Sequence, residues 1–260
     1  MGKAVTTSTI KPPVLWVFAH GWSNASAHWL PLLRELDAHQ PGWRDYSQVW
    51  LLEQNYYSPS EPCLIHYPTG QRSVLNQNSL DQLAAQSGAQ NILGVGHSLG
   101  FAKLVHWSDC WTGLVSLHGF TRFCADHAHQ SGTPARVLRR MVQQFRTQPA
   151  QVLHHFKLKA GLAYSASKHD QFSRRLLDDL IWMETLDVSS RLQLHCNLNK
   201  PLHVAWSTTD SIVPAVLSED CFEENVRSHR EPAPYRVTLA TPHEGPSLFP
   251  SRYTSVLTRL

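Results

Sequence analysis

Cross-linking chemistry is nearly absent from this chain. Its 260 residues include five cysteines, Cys63, Cys110, Cys124, Cys196 and Cys221. The number is odd and no C-x-x-C spacing occurs, which excludes a disulfide framework and a paired-cysteine zinc site. Long hydrophobic runs are also lacking. Nothing approaches the ~18 apolar residues of a membrane span, and the opening MGKAVTTSTIKPP has no apolar leader core. A soluble, cytoplasmic protein is expected. Gly2 with Thr6 fits a myristoylation pattern too short to carry weight. Charge of one sign is missing overall, the net being +3, but its distribution is uneven. From Arg122 to Arg175 there are ten basic residues against two acids, and the remainder is acidic. That asymmetry suits one portion meeting an anionic partner.

Glycine is scarce at 13 residues, so a clustered set is informative. Asn91 to Val105 reads NILGVGHSLGFAKLV: an apolar run, then Gly96-His97-Ser98-Leu99-Gly100, then a segment able to form a helix. Strand, G-x-S-x-G turn and helix in that order hold a serine in a strained elbow with its hydroxyl exposed. Gly96 and Gly100 serve a close approach of strand and helix that a side chain would block. A dinucleotide loop starting at Gly94-Val95-Gly96 fits less well, because its third glycine falls at 100 instead of 99. Ser98 is therefore the candidate nucleophile.

Around this elbow the pattern alternates between strands and helices. Val14–Ala19 is a continuous apolar run suited to a parallel strand buried on both faces. His20-Gly21-Trp22 follows, and Ala27 to Leu36 carries Trp29, Leu32, Leu33 and Leu36 at helical spacing. Val49 to Leu52 is a strand, and residues 53–78 have no readable motif beyond a weak strand signal at Cys63 to Tyr67. Leu80 to Ala85 leads as a helix into the elbow strand, and Leu114 to Leu117 is the next strand. From Thr121 to about Arg191 only helices are expected. Thr133-Pro134 opens the first as an N-cap with proline in the first turn. Val137, Leu138, Met141, Val142 and Phe145 form its apolar arc, and Arg136, Arg139, Arg140 and Arg146 the opposite one. A second helix spans Ala150 to Leu162. The third, Asp170 to Met183, is expected to bury Phe172, Leu176, Leu177, Leu180 and Ile181. Strands resume at Leu202 to Trp206 and Tyr235 to Leu239, and Ser247 to Leu260 closes the chain as a helix. The division expected is a core over 1–120, a helical lid over 121–191 and a second core part over 192–260.

A serine hydroxyl needs a base within reach and a third group to orient that base. Asp210 and His243 each follow a predicted strand, so Ser98, Asp210 and His243 stand in the chain order of an α/β-hydrolase. His243 would move the proton, Asp210 would hold its other nitrogen, and the backbone N–H groups of Trp22 and Leu99 would receive the oxyanion. Sixteen histidines make the base the least constrained member. His195, His203 and His229 read as surface or packed residues. His97 is expected to point away from the triad and shape the turn, and His20 to brace the oxyanion loop. Asp220 and Glu244 remain as rival acids.

The HGW loop, GHSLG elbow, D-S-I-V-P acid turn and P-H-E-G histidine turn together resemble the α/β-hydrolase superfamily over roughly residues 14–258. VFAHGW, Trp29 and the stretch GFTRFCADHAHQSGTPARVLRRMVQQFRTQP are similar to the pimeloyl-acyl-carrier-protein methyl ester esterases of biotin synthesis. The resemblance implies a mostly parallel sheet flanked by helices, with a helical lid inserted after the strand ending near Gly119. It also implies a serine carboxylesterase cleaving a methyl or small alkyl ester of an acyl chain on an acyl carrier protein. Arg136, Arg139, Arg140, Arg146, Lys157 and Lys159 would hold that carrier. Phe101 departs from the family, which often has glycine there, and the N-terminus is short for the fold's opening strand pair. A general carboxylesterase, lipase-like enzyme or thioesterase shares the triad, and a non-catalytic binding protein is the remaining alternative. Ser98 argues against a dehalogenase or epoxide hydrolase, which use aspartate. No cofactor, metal, nucleic acid or membrane partner is expected.

Overall fold

A computed structural model of the chain describes residues 13–76, 78–127, 129–162, 172–227 and 235–259. β1 (Val14–Ala19) leads through a short 3₁₀ turn at Ser26–Trp29 into α1 (Leu30–His39), then β2 (Ser47–Glu53). The expected helix from Ala27 therefore begins as a tighter turn, with Pro31 setting the first α-helical turn. β3 (Cys63–Tyr67) and β4 (Arg72–Val74) form a hairpin before α2 (Ser79–Ser87), β5 (Asn91–His97), α3 (Leu99–Trp107) and β6 (Gly113–Leu117).

Then come β7 (Cys124–Ala125), β8 (Thr133–Pro134), α4 (Ala135–Thr147), α5 (Pro149–Lys159), α6 (Arg174–Thr185) and α7 (Ser189–Asn197). The chain closes with β9 (Leu202–Ser207), α8 (Ala215–Arg227), β10 (Tyr235–Leu239), α9 (Gly245–Leu248) and α10 (Ser251–Leu257).

Among the described residues eight strands form one sheet in the order β10-β9-β6-β5-β1-β2-β3-β4. All neighbours are parallel except β2 with β3 and β3 with β4. Side chains alternate across each strand, so Leu15 and Val17 enter one core while Trp16 and Phe18 enter the other. Burial on both faces is why β1 reads as an unbroken apolar run. The motif-poor stretch 53–78 supplies the antiparallel edge β3–β4, beyond β2. Among the described residues no helix is long and apolar enough to cross a membrane.

Several expectations are corrected here. The described residues between 121 and 134 hold no helix; they contain the small β7–β8 pair. Thr133 and Pro134 belong to that pair, and Pro134 takes the N-cap position at φ −56°, ψ 129° without a side-chain cap. The Thr133 N–H pairs with Phe123 O at 2.9 Å, which keeps Thr133 in the strand one residue before the N-cap, and the helix starts at Ala135. Val137 and Ile181, expected inside, are 51% and 42% exposed. The closing helix breaks at Phe249–Pro250, since the proline ring excludes a helical residue before it and Phe249 takes φ −134°, ψ 58°. The helix expected from Asp170 is seen from Arg174; Asp170 lies outside the described residues, as does His229.

Candidate active site

From β1 the chain passes to β2 on one side, and β5 lies on the other. Parallel sheets bind ligands outside the carboxyl ends of such diverging strands. β1 ends there in His20-Gly21-Trp22 and β5 ends in the elbow. Ser98 adopts φ 54°, ψ −127°, a strained conformation for a residue with a Cβ. Its neighbours enforce that conformation. A Cβ on Gly96 would stand 2.2 Å from Phe101 Cα, and one on Gly100 would stand 2.1 Å from Ala19 O. The Ser98 N–H donates to Leu117 O at 3.0 Å, tying the elbow to β6. Gly21 lies directly over the serine: a Cβ there would meet Ser98 Cβ at 3.0 Å.

Asp210 follows β9 and His243 follows β10, and the tertiary fold brings them together. His243 Nδ1 donates to Asp210 Oδ2 at 2.7 Å. Asp210 Oδ1 accepts the backbone N–H groups of Ile212 and Val213, both at 2.8 Å, so the D-S-I-V turn fixes the carboxylate on one side. Burial alone would raise the Asp210 carboxyl, but His243 and His118 beside it hold it well below the usual range. Burial would lower the His243 imidazole, and the Asp210 carboxylate reverses this and raises it. The rival acids are engaged elsewhere. Asp220 pairs with Arg122 at 2.8 Å and accepts from Ser131. Glu244 is buried against Asn24 (3.1 Å), His28 (3.2 Å) and Lys157 (4.0 Å).

Two histidines differ from expectation. His97 does not turn away: its Nε2 donates to His243 O at 2.9 Å, and the two rings lie 4.8 Å apart. The stacked rings of His28 and His97 (4.6 Å) extend this packing to Glu244. Burial keeps both imidazoles below their ordinary value. Ligand atoms of His28, His97 and Glu244 come within 4.8 Å of one another, but the Lys157 ammonium already balances the carboxylate, and a metal cation would compete with it. His118 was not singled out by sequence and is a member of the site: its Nδ1 donates to the same Asp210 Oδ2 at 2.7 Å. The signal was a polar residue directly after a strand, which His118 shares with Asp210. His20 donates from Nδ1 to Gly21 O at 2.9 Å, accepts the Gln54 N–H at 3.3 Å and lies 3.5 Å from Glu53.

Above Ser98 is a cavity of about 240 Å³ with walls from Trp22, Phe120, Leu138, Met141, Phe156 and Leu180. Gln144, His155 and Lys159 line its exposed side. Val137 also lines it, which is why a residue of the apolar arc stays half exposed. The inserted helices are pinned to the core at several points. Trp22 Nε1 donates to Leu176 O in α6 at 2.8 Å. Lys103 of α3 meets Asp179 of α6 at 2.6 Å in a buried pair. At the end of α5, Lys159 O accepts Ser211 Oγ–H at 2.6 Å and Ala160 O accepts the Glu244 N–H at 3.1 Å. Those last two bonds touch the neighbours of Asp210 and His243. Lys157 is corrected as a carrier contact: it is 7% exposed and bonded to Asn24. Arg136, Arg139, Arg140, Arg146 and Lys159 are exposed, and Arg139 is paired with Glu184 at 2.5 Å.

No family model matches the sequence, and no curated protein does either. Solved structures define the class: the chain has the α/β-hydrolase fold. It is similar to a bromoperoxidase from Bacillus anthracis, at 14% identity and TM-score 0.68, over 95% of this chain and 91% of that one. An esterase from Exiguobacterium antarcticum matches at 11% identity and TM-score 0.65, over 96% and 92%. An enol-lactonase from Burkholderia xenovorans matches at 11% identity and TM-score 0.62, over 96% and 91%.

Proposed function

We propose that the chain is a serine carboxylic-ester hydrolase. Ser98 attacks the ester carbonyl while His243 takes its proton, and the same imidazole returns that proton to the leaving alcohol. Water repeats the cycle on the acyl-enzyme and releases the acid. Asp210 holds the imidazole through Nδ1, and the N–H groups of Trp22 and Leu99 receive the oxyanion, each donor typically worth about 10²–10³ in turnover. One observation carries the reading: a serine strained at φ 54° opens into an apolar cavity, at the same sheet edge as a buried 2.7 Å imidazole–carboxylate pair. The protein should hydrolyse short p-nitrophenyl esters, and Ser98→Ala should lower kcat by about 10⁴-fold or more. Equal turnover in that variant would refute the assignment.

The finer reading is a methyl or small alkyl ester of an acyl chain carried on acyl carrier protein, as in biotin synthesis. The exposed basic face of α4, with Lys159 beside the cavity, supports an anionic carrier. Charge reversal at Arg136 and Arg140 should slow a carrier-linked ester at least tenfold more than the free methyl ester, since exposed charges steer association. Equal slowing would remove the carrier. The Arg139–Glu184 pair favours a second reading, a general esterase or thioesterase for free small substrates, because part of that face is neutralised internally.

A further inference from the structure

The turn after β6 carries a histidine that the proposed reaction does not use. His118 is fully buried and stands at φ 53°, where a residue with a side chain persists only if its surroundings hold it. Its ring is held at both ends. Nδ1 faces Asp210 Oδ2 at 2.7 Å, and Nε2 faces Tyr253 Oη at 2.5 Å. Tyr253 Oη lies in turn 2.6 Å from Thr241 Oγ1. A carboxylate only accepts, so Nδ1 must carry the proton, and Nε2 is then the acceptor for the tyrosine hydroxyl. With a neutral imidazole at its centre, one proton arrangement satisfies every polar atom of this hydrogen-bonded series.

We propose that His118 is a positioning residue for the acid–base pair, holding the Asp210 carboxylate by the very oxygen that serves His243. Oδ1 is fixed by the Ile212 and Val213 N–H groups, and His118 fixes Oδ2 from the core side, so the carboxylate cannot rotate away from His243. It also shares the charge of that oxygen, which tempers the hold on a protonated His243. Burial keeps His118 below the ordinary imidazole value despite Asp210, in accord with the neutral form. The groups facing this pair are Tyr253, His97 and Glu244 around His118, and His97, Glu244 and Lys157 around His243. The effect on turnover rests on the ester-hydrolase reading of Ser98; the hydrogen bonds do not.

Imidazole ¹H–¹⁵N NMR at pH 8 on the full chain should show the proton of His118 on Nδ1, as for His243. A proton on His118 Nε2 alone overturns the proposal, and this measurement needs no variant. His118→Phe removes the donor, whereas His118→Asn keeps an N–H where Nδ1 stood. In the phenyl variant Oδ2 serves His243 alone, so its imidazolium is better held. The acid limb of kcat/KM should then move to higher pH by roughly half a unit. Plateau kcat should fall about tenfold with KM little changed, because only orientation is lost, and His118→Asn should restore both. A folded phenyl variant with an unchanged profile and kcat overturns the proposal, as does an asparagine variant that rescues neither. If the phenyl variant fails to fold, the tautomer and the asparagine profile decide. In the Ser98→Ala background the NMR titration of His243 should shift the same way on His118→Phe. Such a shift, if the protein with Ser98 intact hydrolyses no ester, would sink the function and leave the positioning role standing; turnover with Ser98 intact but no shift would do the reverse.

Discussion

At position 98 the backbone holds roughly 1–3 kcal/mol of strain, and two missing Cβ atoms let it persist. A methyl on Gly96 would stand 2.4 Å from the Phe101 amide nitrogen as well as 2.2 Å from its Cα. Neither is a flexible side-chain end, so the helix α3 must shift bodily. Gly96→Ala should therefore cost more than about 3 kcal/mol, above the ordinary range for one substitution, and should misplace Ser98. Urea unfolding checks the first and active-serine labelling the second; wild-type stability would contradict the close approach. The neighbouring Phe101, where the resembled family often has glycine, is fully buried with its ring 5.4 Å from that of Phe222.

Among the elements, the inserted helices are joined to the sheet by buried polar bonds in addition to apolar packing. Lys103 shows the energetics most plainly. Burial lowers its ammonium from the ordinary value, and Asp179 opposes that. Its side chain is 3% exposed and that of its partner 14%, and Tyr56 Oη also donates to Asp179. Removing one member leaves a charge without its counterpart, at a cost of about 3–5 kcal/mol, whereas replacing both by apolar residues of similar volume is often near neutral. Lys103→Met should thus destabilise strongly, and Lys103→Met with Asp179→Leu should recover most of the loss. A double-mutant cycle by denaturant unfolding measures the difference. Additive losses would show that the pair does not anchor α6.

Across the whole molecule, buried ionisable groups set the response to acid. His28, His97 and His118 are lowered by burial. Below about pH 6.5 the unfolded chain therefore binds protons that the fold refuses, and stability falls. His243 is raised and works the other way: its contribution is present below about 6.5 and lost as pH rises through its folded value. Burial lowers His106 and His203 as well, so among the described residues five lowered imidazoles against one raised make the net change a loss on acidification. Burial would raise the Glu53 carboxyl, but the His20 contact and the Ser26 and Asn55 N–H groups hold it at about 2. Its contribution is present above about pH 4.3 and fades as pH falls towards that folded value. The melting temperature should decline first from about pH 6.5 and again below about pH 4, with Glu53→Gln flattening the second stage. A plateau down to pH 5 would contradict the first.

Chain order and local pattern determined much of this by themselves. Buried parallel strands require apolar runs and a serine elbow requires glycines, so β1, β9 and the turn at Ser98 are legible within a few consecutive residues. Asp210 and His243 were legible as polar residues directly after strands. Pairing Asp210 with His243 while Glu244, its neighbour in sequence, faces Asn24 and Lys157 was decided only by the tertiary structure, because adjacent side chains diverge. The same holds for Lys157, basic in sequence yet turned inward. His118, too, came to the carboxylate only when β6 and β9 lay side by side. Periodicity reports which face of an element is apolar; which groups from distant elements meet across a buried edge depends on sheet order and packing, which no local window contains.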